Sequence, residues 1–168
     1  LIVGDLQINV GILLDPLTAI MLVVVTGISL MVQIYSMGYM RGDPGYARYF
    51  AYMSLFTASM VGVVIASNII QLYVFWELVG ICSYLLIGFW FKRETAIFAN
   101  MKAILVNRVG DFGFLLGIAT VLMFTGSLDY YQVFALAGNL SEETIQIFPG
   151  TEWSVLSLAC ICLFVGAM

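Results

Sequence analysis

From Ile69 to Phe91 the chain reads IIQLYVFWELVGICSYLLIGFWF, 23 residues that carry a single charge, Glu77. At a rise of about 1.5 Å per residue such a run is long enough to cross a bilayer core of roughly 30 Å as one helix. Glu77 falls three residues from the middle of the run, about 5 Å from the midplane by the same rise. An ionised group at that depth costs several kcal/mol, so its default reading is a place where protons or ions are handled. The alternative is a neutral glutamic acid hydrogen-bonded to a neighbouring helix.

Composition agrees with the run. Hydrophobic residues make up 62% of the chain and charged residues 10%, with a mean hydropathy of +1.06. A soluble domain averages about 25% charged, so this is a membrane protein by composition. The net charge of −4 says little about partners, because most of the acidic groups fall in loops. Few Lys or Arg and no basic stripe exclude nucleic-acid binding. The absence of histidine excludes Ser-His-Asp and Cys-His catalysis and His-based zinc sites. Cys82, Cys160 and Cys162 all lie in apolar runs, and the Cys160-x-Cys162 pair is too short and too isolated for a zinc or iron–sulfur site. All three read as small packing residues. Gly110, Gly113 and Gly117 lie within a helical run rather than after a strand, so they make no nucleotide loop. Neither cofactor nor metal is expected, and redox chemistry belongs to other polypeptides.

The fold class expected is all-α, a polytopic transmembrane helix bundle of about five spans, the last one truncated. Residues 1–15 form an outer-face arm, with alternation at Leu6-Gln7-Ile8-Asn9-Val10 suggesting a strand or hairpin. Residues 16–125 hold four transmembrane helices. The first starts cleanly, with Asp15 as N-cap and Pro16 at the first helical position, and runs to about Met37. The second runs from about Tyr49 to Ala66 after the Gly42-Asp43-Pro44-Gly45 turn signal. The third carries Glu77, and the fourth covers about Ala96 to Thr125. Residues 126–152 form an outer-face loop in which Ser141-Glu142-Glu143, before Ile145 and Ile147, fits an N-capped surface helix ended by Pro149-Gly150. Residues 153–168 begin a fifth span. Its 16 apolar residues, about 24 Å as a helix, are short for a span. The chain therefore reads as a fragment of a larger fold, with no secretory signal at Leu1.

Basic residues orient these helices. Arg41, Arg48, Lys92 and Arg93 lie in the 38–48 and 92–95 connections, which share one face; the connections on the other face contain no Lys or Arg. The positive-inside rule places the basic face in the cytoplasm, matrix or stroma. Phe89, Trp90 and Phe91 then read as the aromatic belt at that inner interface.

Polar residues inside the spans are the candidates for chemistry. On the third helix Tyr73, Glu77, Tyr84 and Gly88 fall within about 40° of one another, flanked by Gly80 and Ile81. This is either a hydrogen-bonded interior seam or, for the two tyrosines, ordinary aromatic packing. On the fourth helix Asn100, Asn107 and Asp111 share a face within about 40°, and Arg108 sits i, i+3 from Asp111, close enough to pair. Lys102 lies nearer the inner interface, where it either joins this set or snorkels. The Gly110/Gly113/Gly117 stripe reads as a close helix contact. A proton path needs protonatable carboxyls, cations that bias them and polar groups that order water. Glu77, Arg108 and Asp111 near the midplane point to transport without naming the ion.

The segment WELVGICSYLLIGFWF, from Trp76-Glu77 to Phe91, followed by Lys102-Ala103 and Asn107-Arg108-Val109-Gly110-Asp111, resembles the antiporter-like subunits of respiratory complex I and its photosynthetic relatives. This family is called subunit L in bacteria and subunit 5 in mitochondria and chloroplasts. LLDPLTAIM near the start and YARYFAYM at 46–53 extend the resemblance to nearly the whole chain. It implies a proton-pumping subunit of a proton-translocating NAD(P)H-quinone oxidoreductase, driven by electron transfer carried out in other subunits. Its implied partners are the other membrane subunits of complex I, the lipid bilayer and protons, in a bacterial inner, thylakoid or mitochondrial membrane. The family's glutamate of the WE motif maps onto Glu77, the Arg and Asp of its R-V-G-D motif onto Arg108 and Asp111, and the preceding lysine onto Lys102. The lysine thought to pair with the glutamate is expected beyond Met168. A second reading is the large subunit of a multi-subunit sodium/proton antiporter, which shares the WE glutamate. A third is a membrane scaffold whose polar residues only pack.

Overall fold

The computed structural model describes residues 2–3, 6–7, 9–148 and 151–168. In chain order the elements are β1 (Ile2–Val3), β2 (Leu6–Gln7), α1 (Pro16–Tyr39), α2 (Tyr46–Val64), α3 (Ile69–Ile87), α4 (Glu94–Thr125), α5 (Tyr130–Glu142), β3 (Thr144–Phe148), β4 (Thr151–Ser154) and α6 (Val155–Ala167). The chain is predominantly helical, with two small antiparallel hairpins, β1–β2 and β3–β4.

Asp15 starts α1: its Oδ1 accepts from the Thr18 N–H at 2.6 Å, with Pro16 at the first helical position. That backbone hydrogen bond holds the Asp15 carboxyl below its ordinary value, because it favours the ionised form. The buried residues of α1 are the polar Thr18 and Ser36, while Leu17, Val23 and Met31 are each about 70% exposed (69%, 73% and 73%). A helix in water shows the reverse order. Polar groups turned inward and apolar ones outward suit a hydrocarbon solvent.

By length and composition, α1, α3 and α4 are the described helices able to cross a membrane. α2 has 19 residues, but Arg48 and Tyr46, Tyr49 and Tyr52 make its first half less apolar. α6 has 13 residues. The five-span expectation therefore rests, for α2, on the alternation of basic residues and, for α6, on its apolar composition, not on length.

The chain divides into two compact units. One comprises Ile12–Ala66 and Gln71–Val106. In it α1 and α2 are joined through a turn in which Gly42 has φ +88° and the Asp43 carboxylate accepts from the Gly45 N–H at 2.6 Å. Only glycine adopts that φ without strain. Hydroxyls tie the two helices together, Ser29 to Thr57 at 2.6 Å and Ser36 to the Tyr49 phenol at 3.2 Å. Against α3, Gly62 of α2 receives the Phe75 ring, and the fully buried Ser59 meets Cys82 at 3.8 Å.

The other unit comprises Leu1–Gly11, Ser67–Ile70 and Asn107–Met168. Its core is Phe114, Ile118 and Val121 of α4, Val133 and Leu140 of α5, and Val155 and Ala159 of α6. The glycine stripe predicted for close packing lies against α6: a Cβ at Gly113 would meet Val165 at 2.8 Å, and one at Gly117 would meet Leu163 at 2.7 Å. The contact is reciprocal, since a Cβ at Gly166 would meet Phe114 Cβ at 2.5 Å and its Cα at 2.9 Å. Neither atom is a flexible side-chain end, so Gly166→Ala must part the helices. We expect it to lower stability by about 1–3 kcal/mol, read as a reduced Tm in detergent. Gly138→Ala, where nothing lies near, should leave Tm unchanged or slightly raised.

Two expectations need correction here. The surface helix of the 126–152 loop lies earlier than Ser141: it is α5, N-capped by Asp129, whose carboxylate accepts from the Tyr131 N–H at 3.0 Å. Ser141 and Glu142 are its last residues, and Thr144–Phe148 is a strand paired with Thr151–Ser154. The reason is a period of two, Ile145-Gln146-Ile147, which a strand satisfies and a helix does not. Pro149-Gly150, the expected helix end, lies outside the described residues. The third helix also stops at Ile87, before the expected Phe91, with Gly88–Lys92 in turns.

Candidate functional site

Shortening α3 moves Glu77 closer to its centre. Of the 19 residues of α3 the middle one is Leu78, so Glu77 is one residue away. Its carboxylate is half-buried, and Oε1 accepts from the Tyr73 hydroxyl at 2.7 Å. The spacing i, i+4 puts phenol and carboxyl on one helix face. The phenol fixes the carboxyl in place and offers it a hydroxyl through which a proton can pass. Of the two tyrosines on the stripe, Tyr73 is thus the hydrogen-bonded one. The Tyr84 hydroxyl makes no hydrogen bond among the described residues, and the residue is 36% exposed.

On α4 the structure brings together Arg108 and Asp111, with Nη1 3.4 Å from Oδ2. Asp111 is buried at 8%, whereas half of the Arg108 side chain is exposed. The pair straddles the middle of a 32-residue helix. Asn107 is exposed, and the Lys102 side chain is exposed and makes no hydrogen bond or ion pair among the described residues. Lys102 is therefore not gathered into a cluster with the other predicted residues. Glu77 belongs to one compact unit and the Arg108–Asp111 pair to the other.

Two contacts could not be found by reading helix faces. Gly88 abuts the Asn100 side-chain amide. Asn100 Oδ1 is buried there without a hydrogen-bond partner among the described residues. A signal existed: Gly88 lies on the Glu77 stripe and Asn100 on the Asp111 face, but nothing in the sequence said that the two faces meet at these residues. Phe89 is the second. Instead of joining an exposed aromatic belt it is 4% exposed, with the Arg48 guanidinium 4.9 Å above its ring. The attraction of a cation to the ring face explains the inward turn. Trp90 and Phe91 remain exposed, at 39% and 56%.

Among the described residues no group of His, Cys, Asp or Glu is placed to hold a metal ion. Cys82 is buried, Cys160 exposed and Cys162 half-buried, all as free thiols.

The family model described as NADH:quinone oxidoreductase/Mrp antiporter, TM matches residues 66–168, and that described as NADH-Ubiquinone oxidoreductase (complex I), chain 5 N-terminus matches residues 1–50. The chain is similar to the NADH-quinone oxidoreductase subunit L of Neisseria meningitidis serogroup B, with 58% identity over 100% of the chain and 25% of the relative. It is 51% identical to the chloroplastic NAD(P)H-quinone oxidoreductase subunit 5 of Zygnema circumcarinatum, over 98% of the chain and 23% of the relative. It thus spans about a quarter of the length of the curated relatives it matches. Among solved structures, the Mrp complex from Dietzia sp. DQ12-45-1b superposes with a TM-score of 0.77 at 25% identity, over 93% of this chain and 16% of that one. The archaeal membrane-bound sulfane sulfur reductase superposes at 0.78 over 95% of this chain and 30% of that one; at 22% identity it speaks for the fold alone.

Proposed function

Because the chain belongs to the NADH:quinone oxidoreductase/Mrp antiporter family of membrane subunits, we propose that it is part of a proton-translocating subunit of an NADH-quinone oxidoreductase. The observation that carries the reading is Glu77, placed one residue from the centre of an apolar helix and hydrogen-bonded to Tyr73. A carboxyl at that depth is retained where it takes up and releases protons. In this mechanism Glu77 exchanges the proton, and Tyr73 holds it in position. Arg108 and Asp111 form a charge pair on α4, and Lys102, exposed on the same helix, supplies a further cation. A cation brought near a carboxylate favours proton release. Electron transfer from NADH to quinone takes place in partner subunits, and the other membrane subunits of the complex flank this one. The membrane is an energy-transducing one. The 58% identity to a bacterial relative, against 51% to a chloroplastic one, favours the bacterial inner membrane.

The second reading, the large subunit of a sodium/proton antiporter, is favoured by the likeness to the Mrp complex. The higher identity to subunit L ranks it below the first. Inverted membrane vesicles carrying the whole protein in its complex separate the two. NADH should generate a proton gradient in them without any added sodium gradient. A gradient that forms only on imposing sodium, and is indifferent to NADH, would replace the first reading by the second.

A further inference from the structure

At the end of α3 that faces the basic connections, a cavity of 440 Å³ is walled by two short segments, 43–48 and 89–93. Three cations line it, Arg48, Lys92 and Arg93, against one carboxylate, Asp43. That carboxylate is engaged locally by the Gly45 N–H at 2.6 Å. Among the described residues no carboxylate forms an ion pair with any of the three cations. Two of the cations are held by aromatic rings. Arg48 lies 4.9 Å from the Phe89 centroid and 5.2 Å from that of Phe91, and its Nη2 donates to the Phe89 carbonyl at 3.3 Å. Arg93 lies 5.2 Å from the Trp90 centroid. A guanidinium has five N–H donors, so the one bond leaves most of the Arg48 fork open.

Cations braced on rings and left without counter-charges make an anion site; Arg in particular fits planar, two-point recognition of phosphate. The place decides the kind of anion. Trp90 and Phe91 are exposed beside the cavity, at the end of a helix long and apolar enough to span, where acyl chains and headgroups meet. Basic pockets between transmembrane helices on the inner side suit anionic lipid headgroups. We propose that this cavity binds the phosphate headgroup of an anionic phospholipid, with Arg48, Lys92 and Arg93 as its cationic lining and Trp90 and Phe91 against the acyl boundary. The proposal requires membrane embedding and is independent of proton transfer at Glu77.

The test uses the assembled complex in nanodiscs containing phosphatidylglycerol with a photoreactive headgroup, and peptide mass spectrometry to locate the label. Labelling is expected within 43–48 and 89–93, competed by unlabelled phosphatidylglycerol but not by phosphatidylcholine or inorganic phosphate. Arg48→Gln and, separately, Lys92→Gln or Arg93→Gln should each lower it about five-fold, the change expected from roughly 1 kcal/mol per basic residue near a lipid surface. Lys92 and Arg93 are exposed, so their variants report on binding even if Arg48→Gln fails to fold. Equal labelling by a phosphatidylcholine probe overturns the proposal. Displacement by inorganic phosphate makes the site one for a free anion and overturns it equally. So does unchanged labelling in the Lys92 and Arg93 variants.

Discussion

Glu77→Gln is expected to slow proton transfer through this subunit by about 10²-fold, the lower end of what a positioned proton-transfer group contributes, and so to lower the protons pumped per NADH oxidised. The complex should still assemble. Gln keeps the volume of the side chain and an oxygen able to accept from the Tyr73 hydroxyl, which stands 2.7 Å from Oε1. What it loses is the capacity to take up and release a proton. Packing of α3 depends instead on other contacts, Gly62 with Phe75 and Ser59 with Cys82. The measurement pairs NADH oxidation with acidification of inverted vesicles, normalised to assembled complex. Wild-type pumping per electron in Glu77→Gln would remove Glu77 from the path and return it to the alternative, a neutral acid that only packs.

The second large effect is expected from Asp111→Asn, which leaves Arg108 without its carboxylate 3.4 Å away. Breaking a fully buried pair costs about 3–5 kcal/mol. Half of the Arg108 side chain is exposed, so the pair is not a fully buried one and the cost falls to about 1–3 kcal/mol. That is a large share of a marginal stability. We expect less assembled complex, seen on native gels, and pumping reduced in proportion or further. Asp111→Glu, which keeps the charge, should recover part of it. Assembly and pumping at wild-type levels in Asp111→Asn would show that the pair contributes neither structure nor charge control.

The sequence alone carried much of the fold and part of the site, for identifiable reasons. Asp15-Pro16 announced the start of α1, and the apolar run of 69–91 announced α3. The Tyr73–Glu77 and Arg108–Asp111 contacts were within reach because their spacings of four and three residues make neighbours on any α-helix. The glycine stripe of α4 announced a close helix contact without naming α6 as its partner. The misplaced helix at 141–147 came from weighting an acidic cap signal above a period of two.

What the sequence by itself determined is the class of solvent and the local geometry. Long apolar runs require hydrocarbon around them, and helical periodicity determines which side chains share a face. What only the tertiary structure decided is which faces meet: Gly88 on Asn100, Arg48 over Phe89, Ser29 with Thr57, Gly166 against Phe114. Those partners lie 12 to 52 residues apart. No periodicity specifies such pairs, because their meeting depends on how whole helices dock, through the summed close packing of many side chains.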